Sequence, residues 1–139
     1  MSKLYDCCCF LNENDLYEIR INQHWDYVDK FIVLESEETH TGDKKPLRFD
    51  KKRFEKYSDK LIYETIPSFD WLLKNYPDIT KEITSLEHRR VSQGQSPKDF
   101  TRDHAQFDYL VKLAEKHGAK EEDFLIFSPL DEVISDIGF

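Results

Sequence analysis

Two adjacent acids near the end of the chain, Asp131 and Glu132, are the clearest candidates for chemistry. They closely follow the apolar run Phe124–Phe127 and the Ser128-Pro129 pair. A short apolar run that stops at such a pair is typical of a buried β-strand. In open α/β sheets ligands bind beyond the carboxyl ends of the strands, where paired carboxylates suit a hard divalent cation that in turn holds a phosphate. The alternative interpretation is a solvated acidic turn.

The elements that would position these acids alternate between strand and helix signals. Four apolar segments are predicted as strands: Leu4–Leu11, Phe31–Leu34, Leu61–Ile66 and Phe124–Phe127. Helix signals lie between them, and they predict an α/β fold with a mainly parallel sheet and helices on both faces. We expect Phe124–Phe127 near the centre of the sheet, because four consecutive apolar residues need cover on both faces.

Two helices have well-defined end signals. Asp15 followed by Glu18 three residues later resembles a capping box at the start of the first helix. The Ser-Pro pair that ends at Pro97 is typical of a helix start, and Gly118 of a helix end. The segment from Asp50 to Tyr57 is predicted as a short charged helix.

Composition narrows the class of protein. The chain has 139 residues, for which one domain spanning 1–139 is the natural expectation. A net charge of −8 disfavours nucleic acid and anionic membranes as partners. No apolar run is long enough to span a membrane. The three consecutive cysteines, Cys7 to Cys9, lack zinc-site spacing and indicate a buried strand in a reducing, cytoplasmic compartment.

The order of motifs resembles glycosyltransferase family 17, a family of N-acetylglucosaminyltransferases. Five segments have this similarity, in the family's order: Tyr5–Asn22, Val28–Ser36, Thr39–Phe49, Arg102–Gln106 and Asp123–Glu132. Each motif is weak alone, but the set is specific and covers most of the chain. The first is Tyr-Asp-Cys-x-x-Phe-x-Asn-Glu-x-Asp-Leu-x-Glu-Ile-Arg-Ile-Asn, and the last resembles a strand that ends in Ser-Asp-x-Asp-Glu.

This resemblance implies a GT-A-like fold, a nucleotide-sugar donor such as a UDP-sugar, a glycan acceptor and a divalent metal, usually manganese. Carried over position by position, it implies that Asp131 and Glu132 bind the metal. It also implies a donor-binding set, which comprises Asn12, Glu13, Asp15, Glu35, Thr41, Lys45, Arg102 and Gln106. The alternative to donor binding is a structural role: a helix cap for Asn12, Glu13 and Asp15, and a solvated strand end for Glu35.

The chain departs from the family pattern in two places. Pro129 replaces the first Asp of the Asp-x-Asp motif, so one expected carboxylate is missing. The chain ends at Phe139, soon after the motif, so we expect a donor half whose catalytic base lies outside it. A completing second chain or a homodimer through the apolar tail 133–139 would then be the partner, and the lack of an anchor suggests a bacterial, phage or viral origin.

Three functional hypotheses follow. The first is a metal-dependent glycosyltransferase that transfers a sugar, such as N-acetylglucosamine, to a glycan. The second is a donor-half binding or interaction module without turnover, which Pro129 favours. The third is an unrelated metal-dependent phosphoryl-transfer enzyme that uses Glu35, Asp131 and Glu132. Manganese-dependent binding of a nucleotide sugar tests the first, and phosphatase or nuclease activity tests the third.

Overall fold

A computed structural model describes residues 2–39, 42–79, 97–127 and 130, with the backbone alone for 97–104. Its elements in chain order are β1 (Leu4–Phe10), α1 (Asn14–His24), β2 (Lys30–Ser36), β3 (Leu61–Ile66), α2 (Phe69–Asn75), α3 (Pro97–Lys116) and β4 (Phe124–Phe127). All four predicted strands are confirmed, with boundaries within two residues. The segment from Asp50 to Tyr57, predicted as a short helix, is mostly turn, and only Glu55–Tyr57 forms a short 3-10 helix.

The four strands form one parallel sheet in the order β3-β2-β1-β4. In the register of this sheet Cys7 pairs with Ile32 of β2 on one side and with Phe127 of β4 on the other. Because all strands are parallel, their carboxyl ends meet at one edge. The predicted α/β, GT-A-like architecture is therefore confirmed.

The expectation that β4 lies at the centre is wrong for the strands that the structure describes. β4 pairs with β1 alone among them, and Phe124 is 66% exposed. The central positions belong to β1 and β2, whose side chains are buried on both faces. A four-residue apolar run thus did not distinguish an edge strand from a central one, because the described residues leave Phe124 largely uncovered and Phe127 37% exposed.

Helices cover both faces of the sheet. Alternate residues of the strands point to opposite sides, so that Cys7 faces α2 and α3 whereas Cys8 faces α1. The first core includes Tyr5, Cys7, Ile32, Leu34, Leu72, Ala105, Leu110 and Leu113. The second includes Cys8, Phe10, Tyr17, Ile21, Val33, Phe54, Tyr57 and Leu130. The cysteines are free thiols, and Cys7 and Cys8 lie in the core as predicted.

A buried ion cluster fixes α1 on the sheet. Arg20 donates to both carboxylate oxygens of Asp6, with Nη2 at 2.5 Å and Nε at 3.1 Å, and His24 Nδ1 lies 2.7 Å from Asp6 Oδ2. All three side chains are almost inaccessible to water. Burial alone would raise the pKa of Asp6, but the hydrogen bonds from His24 and Arg20 outweigh it and lower that pKa. Asp6 is therefore ionised and paired inside the core.

The ends of the helices differ in how well the sequence predicted them. α1 begins at Asn14, so Asp15 lies in the first turn and not at the cap position. The predicted capping box is therefore absent, and Glu18 accepts hydrogen bonds from Arg53 and Tyr57 instead. The end of α3 is as predicted, since Gly118 follows it at a φ of +106°.

Candidate functional site

The carboxyl edge of the sheet is closed by residues 37–39 and 42–50, which follow β2 and fold back over it. Their anchor is Glu35, the penultimate residue of β2, whose side chain is fully buried. Glu35 Oε2 accepts hydrogen bonds from Lys45 Nζ at 2.8 Å and from the Arg48 amide at 2.7 Å. Oε1 accepts from the Phe49 amide at 3.1 Å and from the Tyr63 hydroxyl at 2.6 Å.

These four donors hold Glu35 as an anion. Burial would raise its pKa, but the hydrogen bonds from Lys45, Tyr63 and the two backbone amides lower it overall. The same burial, with the hydrogen bond to Glu35, raises the pKa of Tyr63. The Glu35 carboxylate therefore has a structural role, because it fixes Lys45 and the backbone at residues 48 and 49.

Asn14 connects this segment to the loop that follows β1. Its side-chain amide donates to the Arg48 carbonyl at 3.0 Å, and its carbonyl oxygen accepts from the Asp50 amide at 3.0 Å. The two loops at the carboxyl ends of β1 and β2 are thus joined by a bidentate contact. The loop 11–13 and the segment 45–50 form one continuous edge.

Aromatic packing supports the same segment from below. The Phe49 ring stacks on Tyr63 with centroids 4.2 Å apart and on Phe54 with centroids 4.8 Å apart. Stacked aromatic pairs of this kind stabilise a fold beyond the area that they bury. The Lys51 ammonium lies 5.5 Å from the centroid of the Tyr63 ring. The backbone of this segment is therefore fixed by side chains both at the edge and in the core.

The predicted donor-binding residues of the first loop lie at this edge. Asn12 is exposed and Glu13 is half-buried, with Glu13 Oε2 3.5 Å from the Leu11 amide. Asp15 is 87% exposed and pairs with Arg53 at 2.6 Å. The structure therefore brings these residues to the same edge as Lys45, through the contacts of Asn14.

The predicted residues of α3 belong to the other layer. Lys30, at the start of β2, donates to the carbonyl of His117 just beyond α3, at 2.7 Å. α3 therefore runs antiparallel to the strands, and its amino-terminal half, which contains Arg102, is directed toward the carboxyl edge. Gln106 is buried on the side of α3 that faces the sheet.

The remaining predicted residues, Thr41, Asp131 and Glu132, lie outside the described residues, as does Pro129. Leu130 is described, and it is buried in the core beneath α1. Across residues 2–39, 42–79, 97–127 and 130, no group of three His, Cys, Asp or Glu side chains is arranged to hold a metal ion. In the same part of the chain no helix has the length and apolarity needed to cross a membrane.

Sequence reasoning missed several residues that shape this site. From the sequence alone Asn14 receives no role, and Asp6 and Arg20 occur only as members of the first motif. A signal existed for the ion cluster, since Asp6 interrupts an apolar strand whereas Arg20 and His24 lie four residues apart beside the apolar stripe of α1. No comparable local signal marks Asn14, because its partners are 34 and 36 residues away.

A parallel sheet with helices on both faces and polar loops at its carboxyl edge defines an α/β protein of the class that binds ligands at that edge. The family model for glycosyltransferase family 17 matches residues 1–137. The chain therefore belongs to glycosyltransferase family 17. Comparison with curated proteins finds no match, and comparison with solved structures finds none either.

Proposed function

We propose that this protein binds a UDP-sugar at the carboxyl edge of the sheet and transfers its sugar, such as N-acetylglucosamine, to a glycan acceptor. The observation that supports this most is the family match over residues 1–137. The architecture agrees with it, because the edge carries exposed polar groups on a backbone that is fixed from several sides. Fixed polar groups lose little entropy when they bind and orient a donor.

Lys45 is the described cation best placed to bind the donor. Its ammonium contacts Glu35 and the Pro46 carbonyl, so its position is set before any ligand binds. Glu35 acts as a positioning residue in this proposal, since its four hydrogen bonds are all made within the chain. Asn12 and Glu13 contribute the polar groups of the first loop, and Asp15, in the first turn of α1, pairs with Arg53.

The divalent metal of this proposal, manganese, binds to Asp131 and Glu132. Glu35 is not available as a metal ligand, since its carboxylate already receives four hydrogen bonds. When bound, the metal would supply positive charge to the leaving diphosphate. In the same proposal, Thr41, Arg102 and Gln106 complete the donor pocket.

A second candidate function is a binding module that retains donor affinity without turnover. The observation that favours it is Pro129, which stands at the position of the first Asp of the Asp-x-Asp motif and offers no ligand atom. Loss of one carboxylate would weaken the metal site more than the fold. The two candidates share the donor site and differ only in whether a sugar is transferred.

Calorimetric titration with manganese and UDP tests the shared step. We expect weak, metal-dependent binding to the natural chain, no binding after Asp131→Ala, and tighter binding after Pro129→Asp. The expected gain is about 1–3 kcal/mol, the scale of a hydrogen bond to a charged group. If all three folded proteins give no heat with the metal–nucleotide pair, the donor-site proposal is wrong.

A further inference from the structure

A strongly basic surface lies on the segment that closes the carboxyl edge. Residues 44–53 contain six lysines and arginines and one acid, a local charge of +5, whereas the whole chain has −8. The remaining 129 residues therefore carry −13. A positive segment of ten residues within so acidic a chain is a departure that solubility alone does not require.

Four of these cations are exposed to solvent and two are paired with acids. Lys45 pairs with Glu35, and Arg53 pairs with Asp15 and Glu18. The other four, which we call the basic ridge, are Lys44, Arg48, Lys51 and Lys52. All four are exposed, and within the described part of the chain none of them takes part in an ion pair.

The backbone beneath the ridge is held by the contacts of the candidate site. The Arg48 amide donates to Glu35, and its carbonyl accepts from Asn14. The Asp50 carboxylate accepts the Arg53 amide at 3.0 Å, so the single acid of the segment is engaged with the backbone. The ridge is thus presented on a rigid support beside the loop that follows β1.

We infer that the basic ridge binds an acidic glycan, so that the acceptor of this enzyme is an anionic polysaccharide or oligosaccharide. This inference rests on the proposed function, which supplies the glycan, whereas the ridge supplies the preference for charge. Arginine and lysine bind carboxylate and phosphate groups, and exposed side chains recognise the charge more than the particular acid. The acidic remainder of the chain repels the same ligand, which directs it to the ridge.

The ridge is separate in role from the donor site. Lys45, the cation assigned to the donor, is largely buried and fixed by Glu35, whereas the four ridge side chains are exposed on the same segment. A neighbouring donor and acceptor region is what a transfer reaction requires, because the two reacting groups must meet.

The test compares two probes of equal length, the acidic hexamer of galacturonate and the neutral maltohexaose, by calorimetry at low salt. We expect the full chain to bind the acidic hexamer more tightly and to lose that preference as salt is raised. The triple variant Arg48→Gln, Lys51→Gln and Lys52→Gln should bind it roughly ten-fold more weakly, on the scale of three exposed charge contacts.

A matched control is the triple variant Lys3→Gln, Lys74→Gln and Lys120→Gln, which makes the same charge change at exposed positions outside the ridge. It should keep most of the affinity for the acidic hexamer. Equal binding of the two hexamers by the natural chain, or equal losses in the two variants, would overturn the inference.

A third arm, UDP with manganese, separates this inference from the proposed function. We expect the ridge variant to bind UDP as the natural chain does. Loss of UDP binding in that variant would assign the ridge to the donor and overturn the inference. If no protein binds UDP but the ridge variant still loses the acidic hexamer, the donor proposal fails and the ridge stands.

Discussion

Replacement of Glu35 by glutamine is the sharpest single perturbation of this structure. The change keeps the size of the side chain but removes its charge and converts one acceptor oxygen into an NH2 donor. In the natural chain each oxygen of Glu35 accepts two hydrogen bonds, one from a side chain and one from a backbone amide. Whichever way the amide is oriented, two donors lose their acceptor.

The cost follows from the partners that are lost. If the NH2 group replaces Oε2, it meets Lys45 Nζ and the Arg48 amide, and if it replaces Oε1, it meets the Phe49 amide and the Tyr63 hydroxyl. The second orientation costs less, because the hydroxyl can rotate and accept instead. An unsatisfied buried donor costs about 1–3 kcal/mol. The Phe49 amide is left unsatisfied and the ion pair with Lys45 is lost as well, so we expect Glu35→Gln to lower the free energy of unfolding by about 2–4 kcal/mol.

Acid should reduce the difference in unfolding free energy between the natural chain and Glu35→Gln. The pKa of Glu35 is lowered by folding, so its contribution to stability is present above its usual value of 4.5 and is lost as the pH falls below it. Glutamine does not titrate, so the gap in unfolding free energy between the natural chain and the variant should narrow below pH 4.5.

Urea denaturation from pH 7 down to pH 3 measures both effects, and amide exchange at residues 48 and 49 shows whether the loss is local to the segment. Glu37→Gln is the matched control, because Glu37 lies two residues away and is exposed. That control should change stability by less than 0.5 kcal/mol, roughly the range for surface substitutions. If Glu35→Gln is no more destabilising than the control, the anchoring role of Glu35 is refuted.

Three further predictions concern the scaffold. Arg20→Met should destabilise by about 3–5 kcal/mol in urea denaturation, because it leaves the Asp6 carboxylate buried without its guanidinium partner, and adding Asp6→Asn should recover part of the loss. Gly118→Ala should cost about 1–2 kcal/mol, measured as a fall in Tm, because φ is +106° there. Hydrogen bonds from the Tyr57 hydroxyl and, to a smaller extent, from Arg53 lower the pKa of Glu18 to about 2. The natural chain should therefore lose unfolding free energy as the pH falls from 4.5 toward 2, because Glu18 becomes protonated. In urea denaturation, Glu18→Gln should show a smaller loss over the same range.

The architecture was predictable because its signals are local. Each strand is an apolar run bounded by turn formers, and parallel pairing follows from the helices between the runs. The same signals failed for β4, since a run of four apolar residues does not state how many strands flank it. They also failed at the start of α1, where Glu18 is used by Arg53 and Tyr57 from a distant segment instead of by the cap.

The candidate site was predictable in position but not in chemistry. The family motif placed Glu35 and Lys45 at the edge, yet nothing local shows that the two pair with each other and that Glu35 is saturated by its own chain. That arrangement depends on Tyr63, which comes from the neighbouring strand β3. Likewise, the link made by Asn14 joins segments more than thirty residues apart, a contact that follows only from the folded chain.

Release of UDP from UDP-sugars is the measurement that tests the central claim most directly. The full chain would be incubated with manganese, a panel of UDP-sugars and a mixture of acidic and neutral glycans, and free UDP would be quantified. The glycosyltransferase account predicts release that depends on an acceptor, prefers one sugar and disappears in the folded variant Asp131→Ala. No release with any pair, while the chain still binds UDP, would contradict the account and leave a donor-binding module.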